Sequence, residues 1–115
     1  MINEFSRSEL LLGPDSMNRL KNTTIALFGI GGVGSHCAEA LARAGIGTLI
    51  LVDNDRVSLT NINRQSIAYH STVGCYKTDL MKQRIADINP NARVITFETF
   101  VLPENIDEVL PEGID

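Results

Sequence analysis

The chain has 115 residues, of which 43% are hydrophobic and only 5% aromatic, and a formal net charge of −4. This length fits one domain with an aliphatic core, and the composition excludes a disordered chain. The negative charge gives no general attraction for nucleic acid or for an anionic membrane. No segment approaches the ~18 consecutive apolar residues of a membrane span, and the first residues lack the pattern of an export signal. We therefore expect a cytoplasmic protein with no membrane contact.

Residues 1–22 predict a helical lead-in with a break at Gly13-Pro14. The apolar segment 23–30 predicts the first strand, and its continuous apolar character is typical of a parallel strand that is buried on both faces. Residues 23–115 are accordingly assigned to one domain that follows the lead-in.

A helix is predicted after the first strand, because apolar side chains recur at helical spacing at Val33, Cys37, Leu41 and Ala44. These side chains are expected to face the core, Cys37 among them. Gly45 comes next and is suited to a left-handed helix cap.

The rest of the chain alternates strands and helices. It predicts a strand at 48–53, a polar loop at 54–75, a helix at 77–89, a strand at 93–100 and a short helix at 104–110. Three strands joined by right-handed crossovers predict an α/β, Rossmann-like fold, with a parallel sheet in the order 3-2-1 and helices on both faces. A complete sheet of this kind has a fourth strand beside the first. We therefore expect residues 23–115 to be the N-terminal part of a nucleotide-binding domain in a longer protein.

A glycine pattern lies between the first strand and the helix that follows. Gly29 permits a tight turn, Gly31 lets a phosphate approach the backbone, and Gly34 lets the helix pack closely on the strand. Asp53 follows Gly34 by nineteen residues, at the end of the second strand, where a carboxylate can accept hydrogen bonds from a ribose. The pattern predicts nucleotide binding and leaves the choice between ATP and NAD open.

Two cations favour ATP. Arg64 follows Asp53 by eleven residues, and Lys77 follows Arg64 by thirteen. Attack at the α-phosphorus of a triphosphate needs fixed cations to stabilise the developing charge. An arginine can bind a phosphate through two parallel hydrogen bonds, and a lysine provides a compact positive charge. Asp55 is either a second ribose ligand or a cap of the next turn. No pattern of metal ligands is predicted within the chain.

Five motifs stand in a fixed order along the chain: FSR at 5–7, GIGGVG at 29–34, VDND at 52–55, TNINRQ at 60–65 and VGCYK at 73–77. Together they resemble the ThiF/MoeB/HesA group of the ubiquitin-activating-enzyme superfamily, over essentially the whole chain. This resemblance implies a homodimer that uses ATP to adenylate a carboxylate and releases pyrophosphate.

The resemblance also implies roles for individual residues. Arg7 would reach into the ATP site of the partner subunit, and the family's Mg²⁺-binding aspartate is expected beyond residue 115. Nucleotide contacts would come from the residues that match the family's motifs, with Arg64, Lys77 and Arg7 serving catalysis: Gly29, Gly31, Gly32, Gly34, Asp53, Asp55, Asn61, Arg64 and Lys77.

The acceptor is left open between related activities. The motif variant is most similar to the branch that adenylates threonylcarbamoyladenosine on tRNA and closes it into a ring. The alternative is an adenylyltransferase that activates a small sulfur-carrier or ubiquitin-like protein. A less favoured alternative is an NAD-dependent oxidoreductase, which gives Arg64 and Lys77 no role, and a non-catalytic dimerisation module would bind no nucleotide.

Overall fold

The computed structural model describes residues 3–110 and 113–115. The chain begins with two lead-in helices, α1 (Ser6–Leu12) and α2 (Pro14–Lys21), as predicted. The elements of the domain then follow: β1 (Thr24–Phe28), α3 (Gly32–Ala44), β2 (Thr48–Val52), α4 (Lys77–Ile88), β3 (Arg93–Phe97) and α5 (Ile106–Val109). The long loop between β2 and α4 contains two 3₁₀ turns, at Leu59–Asn61 and His70–Thr72.

The three strands form one parallel sheet in which β2 lies between β1 and β3, so the predicted order 3-2-1 is confirmed. Thr24 lies opposite Thr48, which in turn lies opposite Arg93. The carboxyl ends of the strands therefore meet at one edge of the sheet, where the glycine turn follows β1 and Asp53 follows β2. A parallel sheet of this type binds its ligands at that edge.

Two apolar layers cover the sheet. Leu49 and Leu51 of β2 belong to the larger core, which is formed with α3, α4 and the long loop. Ile50 and Val52 point to the other face and pack with Val109 of α5. Because side chains of a strand alternate between faces, this central strand is buried on both, and the predicted helices on both faces are confirmed. None of the helices in the described ranges is long and apolar enough to cross a membrane.

The prediction that β1 is buried on both faces is wrong. Its first four residues are only partly buried, and Phe28 is half exposed. Within the described residues β1 pairs with β2 alone, and its outer edge is met only at Thr24, which exchanges two hydrogen bonds with Asp115 at 2.8 and 2.9 Å. An apolar sequence shows that a strand can be buried; its neighbours decide whether it is.

The predicted face of α3 is corrected in part. Leu41 is half buried and packs against the larger core, as predicted, whereas Val33, Cys37 and Ala44 are exposed. The buried positions of the helix are small residues: Ser35, Ala38 and Ala42. The helical spacing was right, but the face in contact with the core is turned toward these small side chains.

Candidate nucleotide-binding site

The turn after β1 has the geometry that its glycines predict. Gly29 has φ +91°, a left-handed conformation that favours glycine, and its N–H donates to the Val52 carbonyl at 2.9 Å. A Cβ on Gly34 would lie 1.8 Å from the carbonyl oxygen of Gly29. Helix α3 is therefore held directly against the turn, and its N-terminus lies beside the carboxyl end of β1.

The glycines at this N-terminus lie opposite the Arg64–Gln65 segment at ordinary contact distance. The nearest heavy atom to a Cβ built on Gly31 is Nε2 of Gln65, at 3.9 Å, and the nearest to one built on Gly32 is the Arg64 carbonyl oxygen, at 3.8 Å. The first N–H groups of an α-helix have no intrahelical acceptor and carry partial positive charge. The backbone of Gly31 and Gly32 carries no side chain of its own that would keep a phosphate away.

Asp53 links the ends of β1 and β2. Its Oδ2 accepts a hydrogen bond from the Ile30 N–H at 2.6 Å, and its Oδ1 accepts one from the Asp55 N–H at 2.7 Å. The sequence predicts that this carboxylate binds a ribose. The structure shows that it fixes the glycine turn through its hydrogen bond to the Ile30 N–H. Each carboxylate oxygen can accept more than one hydrogen bond, so both roles are compatible.

We expect Asp53→Ala to lower both stability and nucleotide affinity. The Ile30 N–H is fully buried, and without its acceptor the free energy of unfolding should fall by about 1.5–3 kcal/mol. Urea unfolding and ATP titration of the same preparation measure the two effects. A normal ATP affinity per folded molecule would limit Asp53 to its structural role.

A cavity of about 280 Å³ opens at the carboxyl edge of the sheet. It is lined by the last residues of β1 and β2 and by residues that follow the three strands: Phe28, Gly29, Val52, Asp53, Asn54, Asp55, Thr99, Phe100 and Val101. The segment after β3 therefore joins the site, which sequence reasoning missed because nothing in its composition marks it. A second cavity, of about 390 Å³, lies between the lead-in helices and Gly45, away from the glycine turn and from the cations of the long loop.

Lys77 lies at the first position of α4 and is only 5% exposed. Its Nζ is 3.8 Å from Oδ2 of Asp55, which lines the cavity. The Lys77 side chain is 7% exposed and that of Asp55 61%, so a buried stem carries the ammonium to a carboxylate that faces solvent. A cation in the first turn of a helix opposes the helix dipole, so the helix itself does not favour a lysine at this position.

A short backbone ladder brings Asp55 and Lys77 together. Arg56 pairs with Tyr76 in an antiparallel bridge, and the Lys77 N–H donates to the Asp55 carbonyl at 3.2 Å. The Arg56 guanidinium lies 4.5 Å from the centre of the Tyr76 ring and donates to its hydroxyl at 3.2 Å. The hydrogen bond to Tyr76 raises the pKa of Arg56. Two segments that are twenty residues apart in the sequence thus place Lys77 next to Asp55, which lines the cavity.

Arg64 and Asn61 lie in the long loop. The Arg64 side chain is exposed, and its Nη1 donates to the Thr60 carbonyl and to Oδ1 of Asn63, both at 3.0 Å. Asn61 is buried, and its Oδ1 accepts a hydrogen bond from the Ser58 N–H at 2.9 Å. Asn61 therefore shapes the loop, and among the described residues the Arg64 guanidinium donates hydrogen bonds only to its own loop.

Gln65 was given no role from the sequence. Its side chain is 8% exposed, lies next to Gly31, and has a buried Oε1 with no hydrogen-bond partner among the described residues. An unpartnered buried oxygen costs free energy. Its only sequence signal was its position beside Arg64 in the fourth motif.

Arg7 lies far from these residues in its own chain. Phe5 and Met17 pack on Gly45, the cap at the C-terminal end of α3, at 3.7 and 3.5 Å from where a Cβ would be. The glycine turn is at the other end of this 13-residue helix, which is about 20 Å long. Arg7 follows Phe5 by two residues, so the structure groups it with the lead-in and not with Arg64.

The potential metal-binding side chains of the described residues form no metal site, and the two cysteines form no disulfide. No three His, Cys, Asp or Glu side chains in residues 3–110 and 113–115 lie together as metal ligands would. Cys37 and Cys75 are free thiols.

Comparison with known proteins gives a consistent result. A sequence model of the ThiF family matches residues 5–115. The chain is 51% identical to tRNA threonylcarbamoyladenosine dehydratase of Bacillus subtilis over 115 residues, which are 100% of this chain and 45% of that protein. It is 43% identical to ubiquitin-like modifier-activating enzyme 5 of Arabidopsis thaliana over 88 residues, which are 76% of this chain and 20% of that protein.

A solved structure supports the same grouping. The crystal structure of Escherichia coli tRNA N6-threonylcarbamoyladenosine dehydratase in complex with ATP matches with a TM-score of 0.87 and 43% identity, covering 91% of this chain and 43% of that one. The chain thus spans less than half the length of each of these relatives.

Proposed function

This chain belongs to the ThiF family, and we propose that it binds ATP at the carboxyl edge of its sheet, as part of an enzyme that adenylates a carboxylate. The resemblance seen in the five motifs is confirmed by the family match and by the relatives. The catalytic activity and the roles of single residues are the proposal.

The observation that carries the proposal is the cation of Lys77 at the edge of the cavity. The buried stem of Lys77 holds its ammonium at the N-terminal end of α4, where a positive charge is unfavourable, 3.8 Å from the exposed carboxylate of Asp55. A bound triphosphate would place further negative charge beside this ammonium. An NAD site requires no cation at this position, so this observation favours ATP.

The nucleotide is assigned to groups around the 280 Å³ cavity. The ribose would lie against Asp53 and Asp55, with Asn61 fixing the loop that closes this end of the site. The phosphates would lie along the backbone of the glycine turn, between Arg64 and Lys77. The turn contributes Gly29, Gly31, Gly32 and Gly34.

The described residues do not form a Mg²⁺ site by themselves, because no three of their His, Cys, Asp and Glu side chains lie together as metal ligands would.

In the proposed reaction, the protein residues stabilise the negative charge that develops on the phosphate and orient the reacting groups. A substrate carboxylate oxygen attacks the α-phosphorus, the bond between the α-phosphorus and the bridging oxygen breaks, and pyrophosphate leaves with the bonding electrons. Lys77 and Arg64 stabilise the negative charge that grows on the phosphate oxygens in this step. Gln65, through its buried amide, orients the turn or the phosphate next to it.

The substrate that we propose is the threonylcarbamoyl carboxylate of a modified tRNA adenosine in the cytoplasm; once this carboxylate is adenylated, it closes into a ring and AMP is released. The identity of 51% to the Bacillus subtilis dehydratase supports this acceptor. A small carrier protein is the alternative, since the chain is also similar to ubiquitin-like modifier-activating enzyme 5.

We also propose that two copies form a dimer in which Arg7 reaches the ATP of the partner. Arg7 is exposed and lies at the end of α3 that is remote from its own glycine turn. Leu10 and Leu11 of the same helix are 88% and 86% exposed, which leaves apolar surface for such a contact.

The test uses the intact protein that contains this sequence. We expect ATP–pyrophosphate exchange that depends on the tRNA substrate, and competition experiments in which ATP but not NAD protects the protein from thermal unfolding. Protection by NAD, with no exchange, would overturn the proposal. Exchange that responds to a carrier protein and not to tRNA would assign the alternative acceptor.

A further inference from the structure

Arg84 connects three elements that surround the site. It lies on α4, and its guanidinium donates to Oγ and to the carbonyl oxygen of Ser66, both at 3.0 Å. The same group lies 3.5 Å from Oε2 of Glu39 on α3. The planar guanidinium of an arginine can donate several hydrogen bonds at once. Through these contacts Arg84 joins α3, α4 and the long loop.

Glu39 completes the cluster. Its Oε1 accepts hydrogen bonds from Nε and Nη2 of Arg43 at 3.2 and 2.9 Å. The hydrogen bond from Arg43, aided by the charge of Arg84, holds the pKa of Glu39 below its usual range. The carboxylate is therefore ionised at neutral pH, and it holds the Arg84 guanidinium toward Ser66.

The segment that Arg84 holds is the one that faces the glycine turn. Ser66 directly follows Arg64 and Gln65 in the sequence. The Arg64 carbonyl oxygen and the Gln65 amide are the heavy atoms nearest to Gly32 and Gly31. A shift of Ser66 would move both residues relative to the turn, and a displacement of 1 Å in a catalytic group can cost about 10²-fold in rate.

We propose that Arg84 is a positioning residue that fixes the Arg64–Gln65 segment against the phosphate-binding turn. This inference rests on the proposed function and adds a residue that touches neither nucleotide nor substrate. It acts on the reaction through Arg64. Because Lys77 is on the same helix, Arg84 also sets the separation between the two cations.

The experiment measures ATP–pyrophosphate exchange in the intact protein. Arg84→Gln removes the guanidinium group. We expect a roughly tenfold lower kcat with little change in the KM for ATP, because the groups that contact ATP in the ground state remain. The matched control is Arg43→Gln, which also removes an arginine from Glu39 but leaves Ser66 untouched, and its kcat should be unchanged.

A double-mutant cycle tests the route through Arg64. In an Arg64→Ala background, Arg84→Gln should have no further effect on kcat. Independent effects in the cycle, or equal effects of Arg84→Gln and Arg43→Gln, would overturn the inference. If Arg84→Gln does not fold, Ser66→Ala, which removes only the Oγ contact, replaces it and should lower kcat in the same selective way. Absence of exchange in the unmodified protein would instead overturn the proposed function.

Discussion

Replacing Lys77 by alanine or methionine is expected to lower ATP–pyrophosphate exchange by roughly 10²–10³-fold. The substitution removes a fixed cation from phosphate oxygens that gain negative charge in the transition state. Arg64→Ala should have an effect of the same order, because the two cations act on the same charge. Initial rates of exchange at saturating ATP measure both.

The stability of the variants separates this role from a structural one. Lys77→Met keeps the apolar stem and removes a charge whose one ion pair within the described residues is long, at 3.8 Å, and involves an exposed carboxylate, so its free energy of unfolding should be little changed. Lys82→Ala, an exposed lysine on the same helix, is the matched control and should exchange normally. A Lys77→Met variant that is active, or one that is inactive only because it is unfolded, would contradict the assignment.

Gly34→Ala is expected to destabilise the protein by about 3 kcal/mol or more. The new Cβ would lie 1.8 Å from the carbonyl oxygen of Gly29 and 2.9 Å from its carbon. Both atoms belong to the backbone of the turn, so no side chain can move away to make room. The helix must leave the sheet, or the turn must open, and for a small domain of marginal stability this loss is large. Urea unfolding followed by circular dichroism measures it.

Gly31→Ala is the matched control for that variant. It adds the same methyl group to the same turn, but no heavy atom lies closer to it than 3.9 Å. It should therefore fold with nearly unchanged stability and bind ATP more weakly, since the methyl group occupies space that the phosphates need. Equal stability of the Gly34→Ala and Gly31→Ala variants would show that α3 does not depend on close contact with the turn.

The sequence by itself determined the order of the elements, the parallel sheet and the place of the turn. These features depend on local signals, such as the apolar strand at 48–52, the cap at Gly45 and the spacing of Gly29, Gly31 and Gly34. Each signal acts within a few residues, so it can be interpreted without knowing what packs against it. The predicted strand at 93–100 ends at Phe97, because its last residues turn toward the cavity.

Only the tertiary structure decided which surfaces are buried and which polar groups meet. Cys37 is exposed and Ala38 buried because α3 meets the turn through the face that carries Gly34, and Ala38 lies one turn further along that face. Lys77 meets Asp55 because an antiparallel bridge joins Arg56 to Tyr76, twenty residues apart in the sequence. Contacts between distant residues depend on how whole elements pack, and no local pattern of residues determines that packing.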